Sequence, residues 1–305
     1  MPEADATPNG KPAHPGKLGV WTSLDTLAAP DAAALAARID RWGYSTLWLP
    51  EAVGRDPFSL IGFLAAHTER LAFSTGIANI YARDAVLFKS IAKTLGDVLP
   101  GRFILGLGVS HPHLVKGFRG HEWEKPLGKM RAVLEGIAEA RYLGREPELE
   151  PPIVIAALGP KMLELAGELC AGAHPYLVTP RHTEQARAIL GDGPWLCPEQ
   201  MVLLETDAEK ARTLARGHLT VYLRAPNYQR SLLEQGFDES DFADPKKPSD
   251  RLVDALVAWG DEAAIRQRLQ QHWDAGADHV CIEPFRPDGG LGPDETALEA
   301  LAPGR

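Results

Sequence analysis

Short apolar runs alternate with longer helix-period segments along nearly the whole chain. The runs fall at residues 17–21, 45–50, 70–78, 102–108, 153–157, 173–178, 195–204 and 276–283, and Pro198 interrupts the seventh. Several are apolar almost throughout, as in strands buried on both faces. Between them, segments at 30–42, 58–66, 84–98, 126–142, 160–171, 181–190, 207–224 and 261–275 repeat apolar residues at helical spacing, and many open on Pro or Asp. Eight strands alternating with helices imply right-handed parallel crossovers. The predicted class is therefore α/β, and the count is that of a (β/α)8 TIM barrel. Further helical pieces at 228–235 and 249–258 form an insertion between strand seven and strand eight. A doubly wound open sheet would carry a Gly-rich turn directly after strand one, and Trp21, Thr22, Ser23, Leu24 and Asp25 supply none. No clear final helix follows Pro284, so a partner subunit is expected to help close the barrel, as a homodimer.

With 305 residues and 45% apolar composition, the chain can bury one large core. Residues 1–16, rich in Pro, Ala and Gly, read as a disordered tail, and residues 17–305 as one barrel domain. A net charge of −9 argues against nucleic acid as a partner, because phosphate neutralisation needs a basic face. No apolar stretch approaches the length of a membrane span. Cys170, Cys197 and Cys281 are far apart and read as buried thiols, with no metal spacing. The expected setting is cytoplasmic, and the expected partner is a small molecule.

In a parallel barrel, chemistry gathers at the C-terminal ends of the strands. Those ends carry small residues, among them Gly76, Ala78, Gly106 and Gly108, and few acids. Bare strand ends let a flat ring approach the backbone, although Gly106 and Gly108 equally suit relief of crowding in the barrel wall. Gly159, Pro160, Lys161 and Met162 open a helix whose free N–H groups and added charge suit a cofactor phosphate; a plain helix start is the alternative. Glu51 stands at the tip of strand two as a proton donor, a ligand to a ring nitrogen or hydroxyl, or an ion-pair partner of Arg55 or Arg83. His111 and His113 follow strand four, where they face either substrate or solvent. His174, before Pro175, is a pocket candidate or a core histidine.

Four motifs in order then resemble the bacterial luciferase-like superfamily, and within it the coenzyme F420 (deazaflavin)-dependent oxidoreductases. They run from Thr75 to Asp84, Pro100 to His111, Ala157 to Met162 and Gly172 to Pro180. The resemblance implies a non-prolyl cis peptide at Gly76–Ile77 supporting the deazaflavin ring, with Thr75 beside it and Asn79 near the ring. It also implies an acid near the deazaflavin at Glu51, a strand-four wall of Gly108, Val109 and Ser110, and a phosphate seat at Gly159, Pro160, Lys161 and Met162. The activity implied is hydride transfer between the deazaflavin and a small organic substrate, with Glu51 and His111 as candidate catalytic residues and His174 on the cofactor side. Some relatives use FMN and oxygen as monooxygenases, which is the alternative. A non-catalytic deazaflavin or flavin carrier is a third reading, suggested by the few ionisable groups at the strand ends. No histidine adjoins Glu51, so the sugar-phosphate dehydrogenase chemistry in which that histidine acts as base is not implied.

Overall fold

A computed structural model describes residues 13–303. Most of the expected tail lies outside them; within it, Ala13 and Pro15 are buried, and the Pro15 carbonyl accepts from the Ser45 and Thr46 hydroxyls. The first half runs β1 (Leu18–Trp21), α1 (Ala29–Arg41), β2 (Thr46–Leu49), α2 (Pro57–Ala65), β3 (Ala72–Thr75), β4 (Ala78–Asn79), α3 (Ala85–Val98), β5 (Phe103–Gly108) and α4 (Pro126–Glu139). The second half runs β6 (Ile153–Ile155), α5 (Pro160–Leu169), β7 (Gly172–Ala173), α6 (Pro180–Leu190), β8 (Trp195–Leu196), β9 (Glu199–Leu204), α7 (Ala208–Leu219), α8 (Pro226–Glu234), α9 (Glu239–Phe242), α10 (Asp250–Leu256), β10 (Val257–Gly260), α11 (Glu262–Asp274), β11 (Val280–Pro284) and α12 (Glu295–Ala300). Local chemistry fixes many helix starts. Asp56, Asp84, Thr179, Asp207, Ser249 and Asp261 each accept a backbone N–H in the first turn of their helices, and Pro opens α1, α2, α4, α5, α6 and α8.

All strand pairs are parallel, in the order β10-β9-β11-β1-β2-β3-β5-β6-β7-β8, with β4 on β5. The result is a curled sheet flanked by helices, barrel-like but with an open path, which corrects the expectation of a closed eight-stranded barrel. Strand three divides into β3 and β4 around a cis Gly76–Ile77 bond. Strand seven divides into β8 and β9 at Pro198, which has no N–H for the ladder. The third extra strand, β10, begins inside the piece expected to be helical to residue 258: β-branched Val257 and aromatic Trp259 favour strand, and Val257 to Gly260 pair beside β9. A few hydrogen bonds cross the break, among them Glu199 N–H to Pro175 O, Cys281 N–H to Pro198 O and Asp278 N–H to Leu196 O. The expectation of no final helix is also corrected. Asp294 caps α12, whose Ala297 and Leu298 are buried.

Side chains from several strands fill the interior. Trp48, Ile104, Val154, Cys197 and Cys281 form one buried layer, while Leu47, Leu49, Phe73, Phe103 and Leu105 pack outward against the helices. All three cysteines are unpaired. Among the described residues, no helix is long and apolar enough to cross a membrane.

Candidate functional site

The C-terminal end of strand three is a bulge clamped on both sides. The Gly76 N–H donates to Leu49 O at 2.8 Å, and the Glu51 N–H donates to Ile77 O at 3.2 Å. The Trp21 indole N–H donates to Gly76 O at 2.7 Å. The Glu51 carboxylate accepts the Asn79 N–H at 2.8 Å and two contacts from Arg83 Nη1 at 2.7 and 2.9 Å. Its ion-pair partner is thus Arg83, with Arg119 3.8 Å away, while Arg55 turns to Leu27 O. Only 7% of the Glu51 side chain is exposed. The Asn79 side chain is engaged locally, accepting from Tyr81 N–H. Ile77 itself is half-buried.

Beyond Glu51, residues Ala52 to Asp56 line a cleft of about 410 Å³ with Phe118 and Arg119. Exposed Val53 and Phe118 give it an apolar rim.

The wall formed by β5 explains its glycines. Thr75 Oγ1 donates to Gly106 O at 2.6 Å and accepts from Gly106 N–H at 3.0 Å, locking β3 to β5. A Cβ at Gly106 would overlap the Thr75 carbonyl, and one at Gly108 would overlap Ile77 Cγ1 and Cδ1. The wall's bare faces are therefore occupied by the chain's own atoms. Val109 and Ser110 are half-buried, and Ser110 turns the chain at φ +60°. His111 is also half-buried, 5.6 Å from the Tyr228 ring, and a π-helical segment, His113–Phe118, follows. Burial and neighbouring His113 lower the His111 pKa against the opposing effect of a hydrogen bond to Asn227.

At α5 the picture is reversed. Gly159 is the N-cap with no side-chain cap, and a Cβ there would meet nothing within 4 Å. Pro160 and Lys161 are exposed, and Met162 is half-buried against the core. His174 lies apart from this start, stacked on Trp48 at 4.5 Å with Nδ1 2.8 Å from Cys197 O. Burial lowers its pKa to about 4. That is the environment of an interior histidine, the second of the two readings the sequence allows.

A second group was missed by sequence reasoning. Glu199 on β9 and Glu283 on β11 are both buried. Tyr176, just past β7, donates its hydroxyl to Glu283 Oε2 at 2.7 Å and lies 2.7 Å from the Tyr222 hydroxyl. His218 on α7 reaches Glu283 Oε1 at 3.2 Å. Burial, then the charge of Glu283, raises the Glu199 pKa well above the carboxylate range. Burial opposes charge on His218, but the hydrogen bond and charge of Glu283 prevail and raise its pKa. The Tyr176 ring packs 5.2 Å from Trp21, which links this group to Gly76. The available signal was an acid inside an apolar strand, rare unless it is paired.

The sequence pattern described as luciferase-like monooxygenase matches residues 13–279, and the chain belongs to that family of oxidoreductases. It is 26% identical to the 5,10-methylenetetrahydromethanopterin reductase of Archaeoglobus fulgidus, over 81% of this chain and 87% of that one. Its fold matches that of the coenzyme F420-dependent tetrahydromethanopterin reductase of Methanopyrus kandleri with a TM-score of 0.72 at 17% identity, covering 95% and 98% of the two chains. It matches an F420-dependent secondary alcohol dehydrogenase, solved with an F420–acetone adduct, with a TM-score of 0.75 at 15% identity over the same shares.

Proposed function

We propose that the chain is a coenzyme F420-dependent oxidoreductase that transfers a hydride between the deazaflavin and a small organic substrate. The observation that carries this reading is the open start of α5. Gly159 leaves an uncapped helix N-terminus with clear space in front of it and Lys161 beside it, a fit for an anionic cofactor tail. The relatives named for F420 support the choice of deazaflavin. Thr75, Gly76, Ile77, Asn79, Gly108, Val109 and Ser110 would form the ring side of the site, and Gly159, Pro160, Lys161 and Met162 the phosphate side. When bound, the deazaflavin supplies the two-electron chemistry.

Glu51 holds the Ile77 shelf in place, because its carboxylate already meets Asn79 and Arg83. His111, neutral and half-buried at the mouth, faces the substrate. A single barrel-like domain acting as a homodimer is the proposed assembly. Three unpaired thiols agree with a cytoplasmic setting.

Fluorescence titration of the full chain with F420 and, separately, with FMN tests the cofactor. Micromolar F420 binding with weak FMN binding is expected. Binding of FMN alone would overturn the reading in favour of a flavin monooxygenase, and F420 binding without turnover over a broad substrate panel would favour a carrier.

A further inference from the structure

The group around Glu283 has a composition that packing does not explain. Glu199 is 1% exposed and Glu283 8%, and among the described residues His218 is the only basic side chain paired with either. Two ionised carboxylates so placed would repel each other in a poorly solvated site, which favours one proton held between them. Glu199 Oε2 faces the Leu177 N–H at 3.4 Å, while Oε1 meets no donor. Glu199 and Glu283 are hydrogen-bond neighbours, so that proton lies between the two carboxyls. No such cluster among the described residues is arranged to hold a metal ion.

The connections run in two directions. Toward solvent, Glu283 Oε1 meets His218, whose side chain is 28% exposed. Toward the barrel mouth, Glu283 Oε2 accepts from Tyr176, whose hydroxyl lies 2.7 Å from that of Tyr222. The Tyr176 ring packs on Trp21, which is bonded to the Gly76 carbonyl of the shelf. Tyr228, on α8, closes the group against Tyr176 and Tyr222 and touches His111.

We propose that His218, Glu283, Glu199, Tyr176 and Tyr222 form a proton relay between solvent and the substrate side of the mouth. The inference rests on the hydride-transfer reading. Reducing a C=O or C=N bond takes one hydride at carbon and one proton at the heteroatom. The hydride forms the new C–H bond, and the π electron pair moves to oxygen or nitrogen. The Tyr176 O–H bond breaks as the heteroatom takes its proton. Tyr176 then recovers a proton from the carboxyl pair, which is refilled from His218. Oxidation of an alcohol or amine runs the same steps backward. The substrate class that fits is therefore a carbonyl or imine, or its reduced partner.

Two measurements test the relay. Infrared spectroscopy of the full chain follows the carbonyl stretch of a protonated carboxyl at pH 7 and its shift on transfer into D2O. The relay requires one such band, lost in Glu199→Gln, that exchanges within mixing time. It also requires exchange to slow about tenfold or more in His218→Phe, a barrier rise of about 1.4 kcal/mol. No protonated band at pH 7, slow exchange in the wild type, or an unchanged rate in His218→Phe overturns it. A proton held only for structural reasons would exchange independently of His218.

The second measurement follows reoxidation of reduced F420 by a panel of small ketones, aldehydes and imines. Tyr176→Phe should lower turnover about 100-fold, the scale of lost general acid catalysis, and alter its pH profile, with F420 affinity within a few-fold. Turnover equal to wild type overturns proton delivery by Tyr176. Where the wild type consumes none of the panel, the exchange measurement decides. Failure of the wild type to bind F420 overturns the proposed cofactor instead, and the exchange measurement still judges the relay.

Discussion

The Glu51 carboxylate lies 2.8 Å from the Asn79 N–H, while the Glu51 N–H donates to Ile77 O. One residue thus grips the strand-three bulge at two points, and Arg83 fixes the grip from outside. Replacing Glu51 with Gln leaves Arg83 facing a neutral amide, although Asp56 still holds its other end at 2.5 Å. The expected cost is about 2 kcal/mol, between the loss of a charged hydrogen bond and that of a whole buried pair. Urea unfolding measures it. A cycle with Arg83→Gln should give a double variant less damaged than the sum of the singles. Unchanged stability with lowered turnover would return Glu51 to the role of proton partner.

Gly108 faces Ile77, and Gly106 faces the Thr75 carbonyl. In Gly108→Ala the new methyl meets a side chain that can shift, so about 1–3 kcal/mol is expected, together with weaker F420 binding as the shelf moves. Gly106→Ala meets backbone and should be the more damaging. Thermal melts rank the two. An equal or reversed order would show that β5 has more room than its packing implies.

These contacts show what the sequence could reveal. Glycine at 76, 106 and 108 was legible, because a small-residue run at a strand end leaves a local mark, whereas the place of the bulge came only through the family resemblance. The occupant was not legible: Ile77 and the Thr75 carbonyl fill the space that bare glycines seemed to offer a ligand. Pairing across the chain was equally hidden. Nothing local to Glu199 or Glu283 announces that β9 and β11 are neighbours, or that α7 brings His218 between β11 and solvent. Pro198 was visible as an interruption, but its effect on closure depends on which strands lie either side. Helix α12 escaped notice because six residues carry too little periodicity to stand out from a loop.

Gly159 and Lys161 separate binding from folding. A methyl at Gly159 enters open space at an ordinary φ of −89°, so Gly159→Ala should change stability by less than about 1 kcal/mol. It should nonetheless weaken F420 binding, because the methyl stands where the anionic tail would approach. Lys161→Gln should weaken binding strongly at low salt and little at high salt, since an exposed charge is screened. Calorimetric titrations at two ionic strengths decide this. A loss of affinity that ignores salt would move the tail elsewhere.

Acid should destabilise the fold well before most carboxylates titrate. Burial lowers the pKa of His174 to about 4 and those of His272 and His279 to about 3, and it also lowers His182 and His111. Burial outweighs the hydrogen bonds that favour charge on His111, His174, His182 and His279. His279 accepts from the Trp48 indole at 3.0 Å, and His174 Nε2 has no partner to receive a charge. As pH falls below about 6.5 the unfolded chain takes up protons that these rings refuse, so stability falls with it. Glu199 and His218, whose folded pKa values are raised, act in the opposite sense, but they are two groups against five. The urea midpoint should therefore drop between pH 7 and pH 5. His174→Phe, which keeps a ring against Trp48, should flatten that slope by up to about 1.4 kcal/mol per pH unit. A midpoint that stays level or rises toward pH 5 would mean that these histidines find proton-accepting partners in the fold.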